Sequence, residues 1–402
     1  MSDGGARSEG AAGTMRRYDA LNALADPLRH DLVVTNLANT ATEWRALHGG
    51  EGNLYCVGMG MVSPWALGLA LALPHRQVVA LDGDGGILFD PTVLGTMAET
   101  GAANLVVVVF DNGGYVSTGR LPTVASQTRA GVSIEALARA YGLAATTETT
   151  PEGVARAVDG FRGRGPAVVV ARTDASQAFV GAIGIDFKEN KYRFVRHVED
   201  LEGRSMLRPS GKEHGAPPPP DPVSRAVSAG RPLAQVLHEG LSEAGVDFAT
   251  GLPCSGLSAT LGRLMADPAI RYVPVAHEGT GVGLCAGAWL GGRRPAALFE
   301  NFGAFAAAYQ LLRGHYSYGV PTLVVVEWRG DAGDQEHFAE CGELTLPILS
   351  AMRLNHEVVG DLAALKPAIL AAWRWMDACL RPFVVVLRYD ICRPRSTAPD
   401  TR

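Results

Sequence analysis

The stretch NLVVVVFD (104–111) shows no polar alternation, since every residue from Leu105 to Phe110 is apolar. A strand of this kind has both faces covered, the condition of a parallel sheet sandwiched between helices. Runs of the same character recur as DLVVTN, QVVALD and AVVVAR in the first half and as VDFATG, RYVPVA, PAALFE, TLVVVEW and FVVVLRY in the second. Between them lie helix-like segments such as SPWALGLALAL, DPTVLGTMAET, SIEALARAYG, GTGVGLCAGAWLGG, FAAAYQLLRG and LAALKPAILAAWRWM. Alternation of this kind predicts an α/β chain.

The segment from Gly203 to Pro232, with four consecutive prolines, interrupts the pattern, and the pattern then restarts. Proline cannot continue a helix or a central strand, so the segment reads as an interdomain linker. The chain of 402 residues is long enough for two cores. The expectation is therefore a tail (1–15), a first α/β domain (16–202), the linker (203–232), a second α/β domain (233–392) and a short tail (393–402). Both domains are expected to be doubly wound parallel sheets.

A formal charge of −5 from 36 basic and 41 acidic side chains calls for neither nucleic acid nor an anionic membrane as partner. The apolar runs are far shorter than the roughly 20 residues of a membrane span, and the N-terminus lacks the apolar core of a signal peptide. Six widely spaced cysteines include no C-x-x-C pair. Together these predict a cytoplasmic protein with free thiols.

In an open parallel sheet, ligands sit beyond the carboxyl ends of the strands. Two apolar strands here end in LDGDGG and FDNGGY, placing Asp84 and Asn112 among glycines. If those strands are neighbours, a carboxylate and an amide oxygen can share one hard cation such as Mg²⁺. Gly83, Gly85 and Gly86 would then let the backbone approach phosphate oxygens. A dinucleotide site is disfavoured, because no G-x-G-x-x-G follows the first strand of either half.

G-D-G-G followed by N-G-G-Y resembles the diphosphate and metal motif of thiamine diphosphate (ThDP) enzymes. The resemblance implies two domains of the ThDP-binding fold, a diphosphate-binding domain first and a pyrimidine-binding domain second. It implies that Asp84, Asn112 and the Gly114 carbonyl hold Mg²⁺, and that Gly60, Gly83, Gly85, Gly86 and Tyr115 contact the cofactor. Met59, in YCVGMGM, matches the apolar residue that props the bent cofactor. Glu278, at the junction of YVPVA and a helix rich in small residues, matches the glutamate that hydrogen-bonds the aminopyrimidine ring.

GLPCSGL, HEGTGVGLCAGAWLGG and EWRGDAGDQEHFAECGELTLPIL narrow the resemblance to sulfopyruvate and phosphonopyruvate decarboxylases, with YVSTG and LPCS leaning toward the former. Two departures accompany it. The single-chain relatives carry the pyrimidine domain first, the reverse of this chain, and ENFGAFA places Glu300 and Phe302 where they have glutamine and serine. Thr42 likewise stands where they have an arginine. Losing a cation and gaining a carboxylate weakens recognition of a dianion.

The implied activity is decarboxylation of a small-molecule 3-substituted 2-oxo acid to an aldehyde, sulfopyruvate being favoured over phosphonopyruvate. His277, His315 and His337 are candidate proton relays, each also readable as a packing or loop histidine. Arg329, Ser117 and Thr118 join Thr42, Glu300 and Phe302 as candidate substrate contacts. The family's sites lie between chains, so a homodimer or homotetramer is implied. Two other readings remain open at this point: carbon–carbon bond formation in a dry pocket around Phe302, and a catalytically silent assembly subunit.

Overall fold

A computed structural model describes residues 15–124, 131–207 and 232–393, apart from the Cys56 side chain. Residues 208–231 of the expected linker lie outside these residues, as do the two tails except at their inner ends, but the expected start of the linker is folded: Met206 and Leu207 pack against the core and Arg204 donates to the Gly291 carbonyl at 3.0 Å. Met15 is buried and bridges Thr173, and Arg393 reaches the buried Glu327 at 3.1 Å, so both belong to the folded units.

The first unit is a six-stranded parallel sheet built from β1 (Leu32–Asn36), β2 (Asn53–Val57), β3 (Val78–Gly83), β4 (Leu105–Asp111), β7 (Ala144–Glu148) and β8 (Ala167–Arg172). A small hairpin, β5 (Gly114–Tyr115) with β6 (Leu121–Pro122), follows β4. The second unit contains β9 (Phe248–Gly251), β10 (Arg271–Pro274), β11 (Pro295–Glu300), β12 (Leu323–Glu327), β13 (Asn355–Val359) and β14 (Phe383–Leu387). The sheet orders are β2-β1-β3-β4-β8-β7 and β10-β9-β11-β12-β14-β13. Counted along each sheet the two orders are the same, so the halves share a topology that their sequences do not display. Both sheets are doubly wound, as expected.

β2, β7 and β13 were not among the expected strands. All three lie at sheet edges, paired on one side only, and β13 (NHEVV) is largely exposed. β7 (AATTE) and β13 carry no apolar run and so escape a search for one, whereas β2 (NLYCV) carries a short one whose described side chains are buried.

The units meet through two topologically equivalent helices, Val62–Ala72 and Glu278–Leu290. A Cβ on Gly68 would lie 2.1 Å from the Leu284 carbonyl oxygen, and one on Gly287 would lie 1.9 Å from that of Trp65. The glycines of GTGVGLCAGAWL thus allow two backbones to touch. Tyr318 of the second unit packs edge-on against Trp65 and donates to the Tyr55 carbonyl at 2.9 Å. Helix Phe187–Glu202 adds a further tie, sending Lys191 to the Gly319 carbonyl at 3.0 Å.

Candidate active site

β3 and β4 pair in register from Val78↔Leu105 to Gly83↔Phe110, so their carboxyl ends lie side by side. Asp84 opens a short helix there and is 4% exposed. One carboxylate oxygen accepts from Gly85 N–H at 2.8 Å and the other from Gly113 N–H at 2.9 Å. Asn112 Oδ1 accepts from Gly114 N–H at 3.0 Å. Burial pushes the Asp84 carboxyl up to about 6, and the neighbouring Asp111 carboxylate adds to the effect. A buried carboxylate supplied only with neutral donors fits a divalent cation, and the mixed carboxylate and amide oxygens suit a hard one.

The glycines fit a diphosphate. A Cβ on Gly85 would lie 2.4 Å from the Tyr115 ring, and one on Gly86 would lie 2.0 Å from Asp82 Oδ1. Neither position has room for a side chain. The cleft runs from these glycines, Asn112 and Tyr115 to Met59 and Ser117. Its other wall is the end of β1 and the start of the helix that follows, where Asn36, Asn39 and Thr40 line it beside Arg17. β1 and β3 are the strands between which the winding reverses, the usual ligand position in such sheets.

That second wall was not anticipated from the sequence, although TNLANT (35–40) is a polar run just past a strand. Arg17 forms a buried two-pronged pair with Glu43, both contacts at 2.8 Å. Thr42 does not line the cleft; its hydroxyl donates to the Asn39 carbonyl within its own helix. Asp82, fully buried and pushed by burial up to about 7, supports the floor by accepting from Gly83 N–H and Asn36 Nδ2. Thr118 is exposed and donates to the Tyr115 carbonyl at 3.4 Å. Gly60 takes φ +69° against the Phe89 ring.

The second unit's candidates gather at the carboxyl edge of their own sheet. Glu278 heads its helix, with its side chain lying across Gly303, where a Cβ would meet Glu278 Cγ at 2.7 Å. Among the described residues no group hydrogen-bonds its carboxylate. Glu300 ends β11, and burial raises its carboxyl, with Arg329 opposing and the Glu327 and Glu278 carboxylates reinforcing the rise. Arg329 is committed to Asp334, at 2.8 and 3.2 Å, and lies over the Phe338 ring. Asp331, its neighbour in sequence, pairs instead with Arg388 at 2.9 Å. Phe302 packs between Phe305 and Phe338.

The three histidines occupy different settings. His277 is half-buried, 3.4 Å from Asp90 of the first unit. His337 is exposed beside Phe338. His315 is fully buried, its ring nitrogens facing the carbonyls of Val320 and Val282 at 3.0 and 2.9 Å, which leaves it no path to a substrate.

The WRG…G…T run closes a loop over Asn301. Asn301 Nδ2 donates to the Arg329 carbonyl and to Thr345, while Trp328 Nε1 donates to the Gly342 carbonyl. Gly330 and Gly342 approach so closely that a Cβ on Gly342 would lie 2.1 Å from the Gly330 oxygen. Asn301 is placed in the second unit as Asp84 is in the first, opening the helix after the third strand and gripping the loop after the fourth. The five cysteines whose side chains are described are free.

Residues 34–171 match the thiamine pyrophosphate enzyme C-terminal TPP binding domain, and residues 231–346 match the N-terminal TPP binding domain. The chain belongs to the thiamine pyrophosphate enzymes, with their two binding domains in inverted order. Its relatives within that family are sulfopyruvate and phosphonopyruvate decarboxylases. It is 37% identical to the sulfopyruvate decarboxylase of Methanosarcina acetivorans over 37% of this chain and 38% of that one. Well under two thirds of that enzyme's length is therefore matched. The sulfopyruvate decarboxylase subunit beta of Methanothermobacter thermautotrophicus is 31% identical over 46% of this chain and 96% of that subunit. Phosphonopyruvate decarboxylase of Streptomyces viridochromogenes is 36% identical over 31% of this chain and 32% of its own. Among solved structures, transketolase from Campylobacter jejuni superposes with a TM-score of 0.60 at 13% identity, covering 93% of this chain and 72% of that one. That likeness speaks for the two-sheet fold.

Proposed function

We propose that the protein is a ThDP- and Mg²⁺-dependent decarboxylase of a 3-substituted 2-oxo acid, with sulfopyruvate preferred over phosphonopyruvate. The observation that carries the reading is the pairing of two half-sites in one chain of this family. One is the cleft of Asp84, Asn112 and the glycines; the other is the open carboxylate of Glu278 at the head of the small-residue helix. The preference rests on the relatives' names and on the YVSTG and LPCS segments.

ThDP, when bound, supplies a nucleophilic carbon and an electron sink for the pair released with carbon dioxide. Asp84, Asn112 and the Gly114 carbonyl would hold Mg²⁺, with Gly83, Gly85 and Gly86 leaving room for the diphosphate. Met59 lines the cleft where the ring system would be propped. Glu278 would hold a proton at the aminopyrimidine ring, and His277 or His337 would move protons at the substrate. Ser117 lines the cleft rim, and Glu300 and Phe302 lie on the Glu278 side, where they would meet the substrate's 3-substituent.

The diphosphate cleft is lined by the first unit alone, and Glu278 of the same chain does not reach it. This supports a homodimer or a larger even assembly in which the cleft of one copy receives Glu278 of another. Among the described residues no helix is long and apolar enough to cross a membrane, and a cytoplasmic location is part of the proposal.

The Phe302, Phe305 and Phe338 cluster gives the carboligase alternative its one support, because a dry surface slows protonation of the donor. The test is to incubate the purified protein with ThDP and Mg²⁺ against sulfopyruvate, phosphonopyruvate, pyruvate and longer 2-oxo acids, with and without an added aldehyde, following products by NMR. Free aldehyde and carbon dioxide are expected. A coupled hydroxyketone whenever an acceptor is present would favour ligation, and no turnover of any 2-oxo acid would remove both readings.

A further inference from the structure

The helix that begins at Asp84 ends against Asp90, a carboxylate only 5% exposed at the seam between the units. One oxygen accepts from the Thr92 hydroxyl at 2.5 Å. The other accepts from the Thr280 hydroxyl and lies 3.4 Å from His277 Nδ1. The Thr92 and Thr280 hydroxyls are themselves 3.2 Å apart. His277 is the cap of the Glu278 helix and Thr280 its third residue, so one carboxylate from the diphosphate unit grips the chain on both sides of Glu278.

Burying a carboxylate between two packed units is costly unless its partners compensate. A packing role alone would be met by an amide or an apolar side chain. Here burial opposes ionisation, yet His277 and the two threonines hold the Asp90 carboxyl below its usual range. The Asp90 carboxylate, 3.4 Å from Nδ1, in turn raises His277, against burial, with the Glu278 carboxylate as the other charge that faces it. The result is an imidazole biased toward its protonated form and fixed immediately beside the Glu278 backbone.

We propose that Asp90 is a positioning residue for the reaction, holding His277 and Thr280 across the unit boundary and through them the orientation and electrostatic setting of Glu278. This rests on the role given to Glu278 above. Asp90 does not line the diphosphate cleft. It connects the helix of the diphosphate cleft to the glutamate that the same chain presents elsewhere.

The test compares Asp90→Asn and His277→Gln with the unaltered protein. In apo-protein labelled with ¹³C-histidine, the signal missing from His277→Gln identifies His277. Its midpoint is expected to fall in Asp90→Asn by about one pH unit, a tenfold change in proton affinity. In the loaded protein, ThDP affinity should stay within about threefold of the parent, while exchange of the cofactor's C2 proton with D₂O and kcat both fall about tenfold or more, with KM little changed.

An unshifted His277 midpoint, or unchanged C2 exchange and kcat, overturns the proposal. So does a loss of cofactor affinity and thermal stability in step with activity, which would mark Asp90 as structural only. If Asp90→Asn fails to fold, His277→Gln, which leaves Asp90 its two threonine donors, must show the same slowing of exchange; normal exchange there overturns the proposal. Glu278→Gln separates the two readings. If that variant turns over normally, the site assignment fails, whereas collapse there beside normal Asp90→Asn turnover defeats only the Asp90 inference.

Discussion

At the scale of residues, the two half-sites carry opposite burdens. Under the proposed function Asp84 is a buried acid tolerated for the cation it would bind, so Asp84→Asn is expected to keep or raise the melting temperature of the apo-protein, since it removes a carboxylate that burial and Asp111 disfavour. ThDP affinity in the presence of Mg²⁺ should fall by more than the roughly 10–100-fold that loss of a supporting group costs. Calorimetric titration and thermal scans on the same samples check both. Glu278, in the role proposed for it, would have the reverse character and contribute little to cofactor retention. Glu278→Gln is expected to bind ThDP within a few-fold of the parent while kcat falls by about 100-fold or more, in line with losing a positioned acid–base group. Asp84, Asn112 and Glu278 were legible in the sequence because each directly follows an apolar run. Asp82, Asn39, Thr40 and Arg17 were not, because their roles depend on which loops and helices the winding brings to the cleft.

At the scale of elements, the helix pair Val62–Ala72 and Glu278–Leu290 decides how the units meet. Gly287→Val drives a side chain into the Trp65 carbonyl and is expected to cost about 1–3 kcal/mol or more in chemical denaturation. Gly262→Ala, in an open stretch of helix Ser258–Ala266, should instead gain about 0.5–1 kcal/mol. Lys191 is a second element-level test. Burial lowers its ammonium to about 8, with Lys188 adding to the effect. Between pH 8 and the ordinary lysine range the unfolded chain binds the extra proton, so this group makes stability rise with pH, by at most about 1.4 kcal/mol per unit. Denaturant melts at pH 7, 8.5 and 9.5 should show that slope reduced in Lys191→Met relative to the parent. The small residues of GTGVGLCAGAWL were readable as a family mark, but their physical reason is the neighbouring backbone. The edge strands β7 and β13 were missed because a strand paired on one side needs no apolar run.

Across the whole molecule, the proposed cofactor cleft and Glu278 of the same chain do not meet. Mixing Asp84→Asn with Glu278→Gln, each strongly impaired alone, and allowing subunits to exchange should restore activity toward half the parent level per mixed dimer. In such a dimer one site draws Asp84 and Glu278 from different parents and is intact. If sites were built within single chains, the mixture would stay impaired. The inverted order of the two domains is compatible with this arrangement, since only the assembly has to bring cleft and glutamate together. The α/β class, the division into two units, the strand-end residues lining the cleft and the family were readable from the chain alone, because strand burial, proline content and small-residue motifs are local properties. Only the tertiary structure decided that Arg329 is neutralised by Asp334, that His315 is sealed among carbonyls and that Asp90 grips the Glu278 helix. Those outcomes depend on partners distant in sequence or brought together by loop geometry, and no local pattern encodes them.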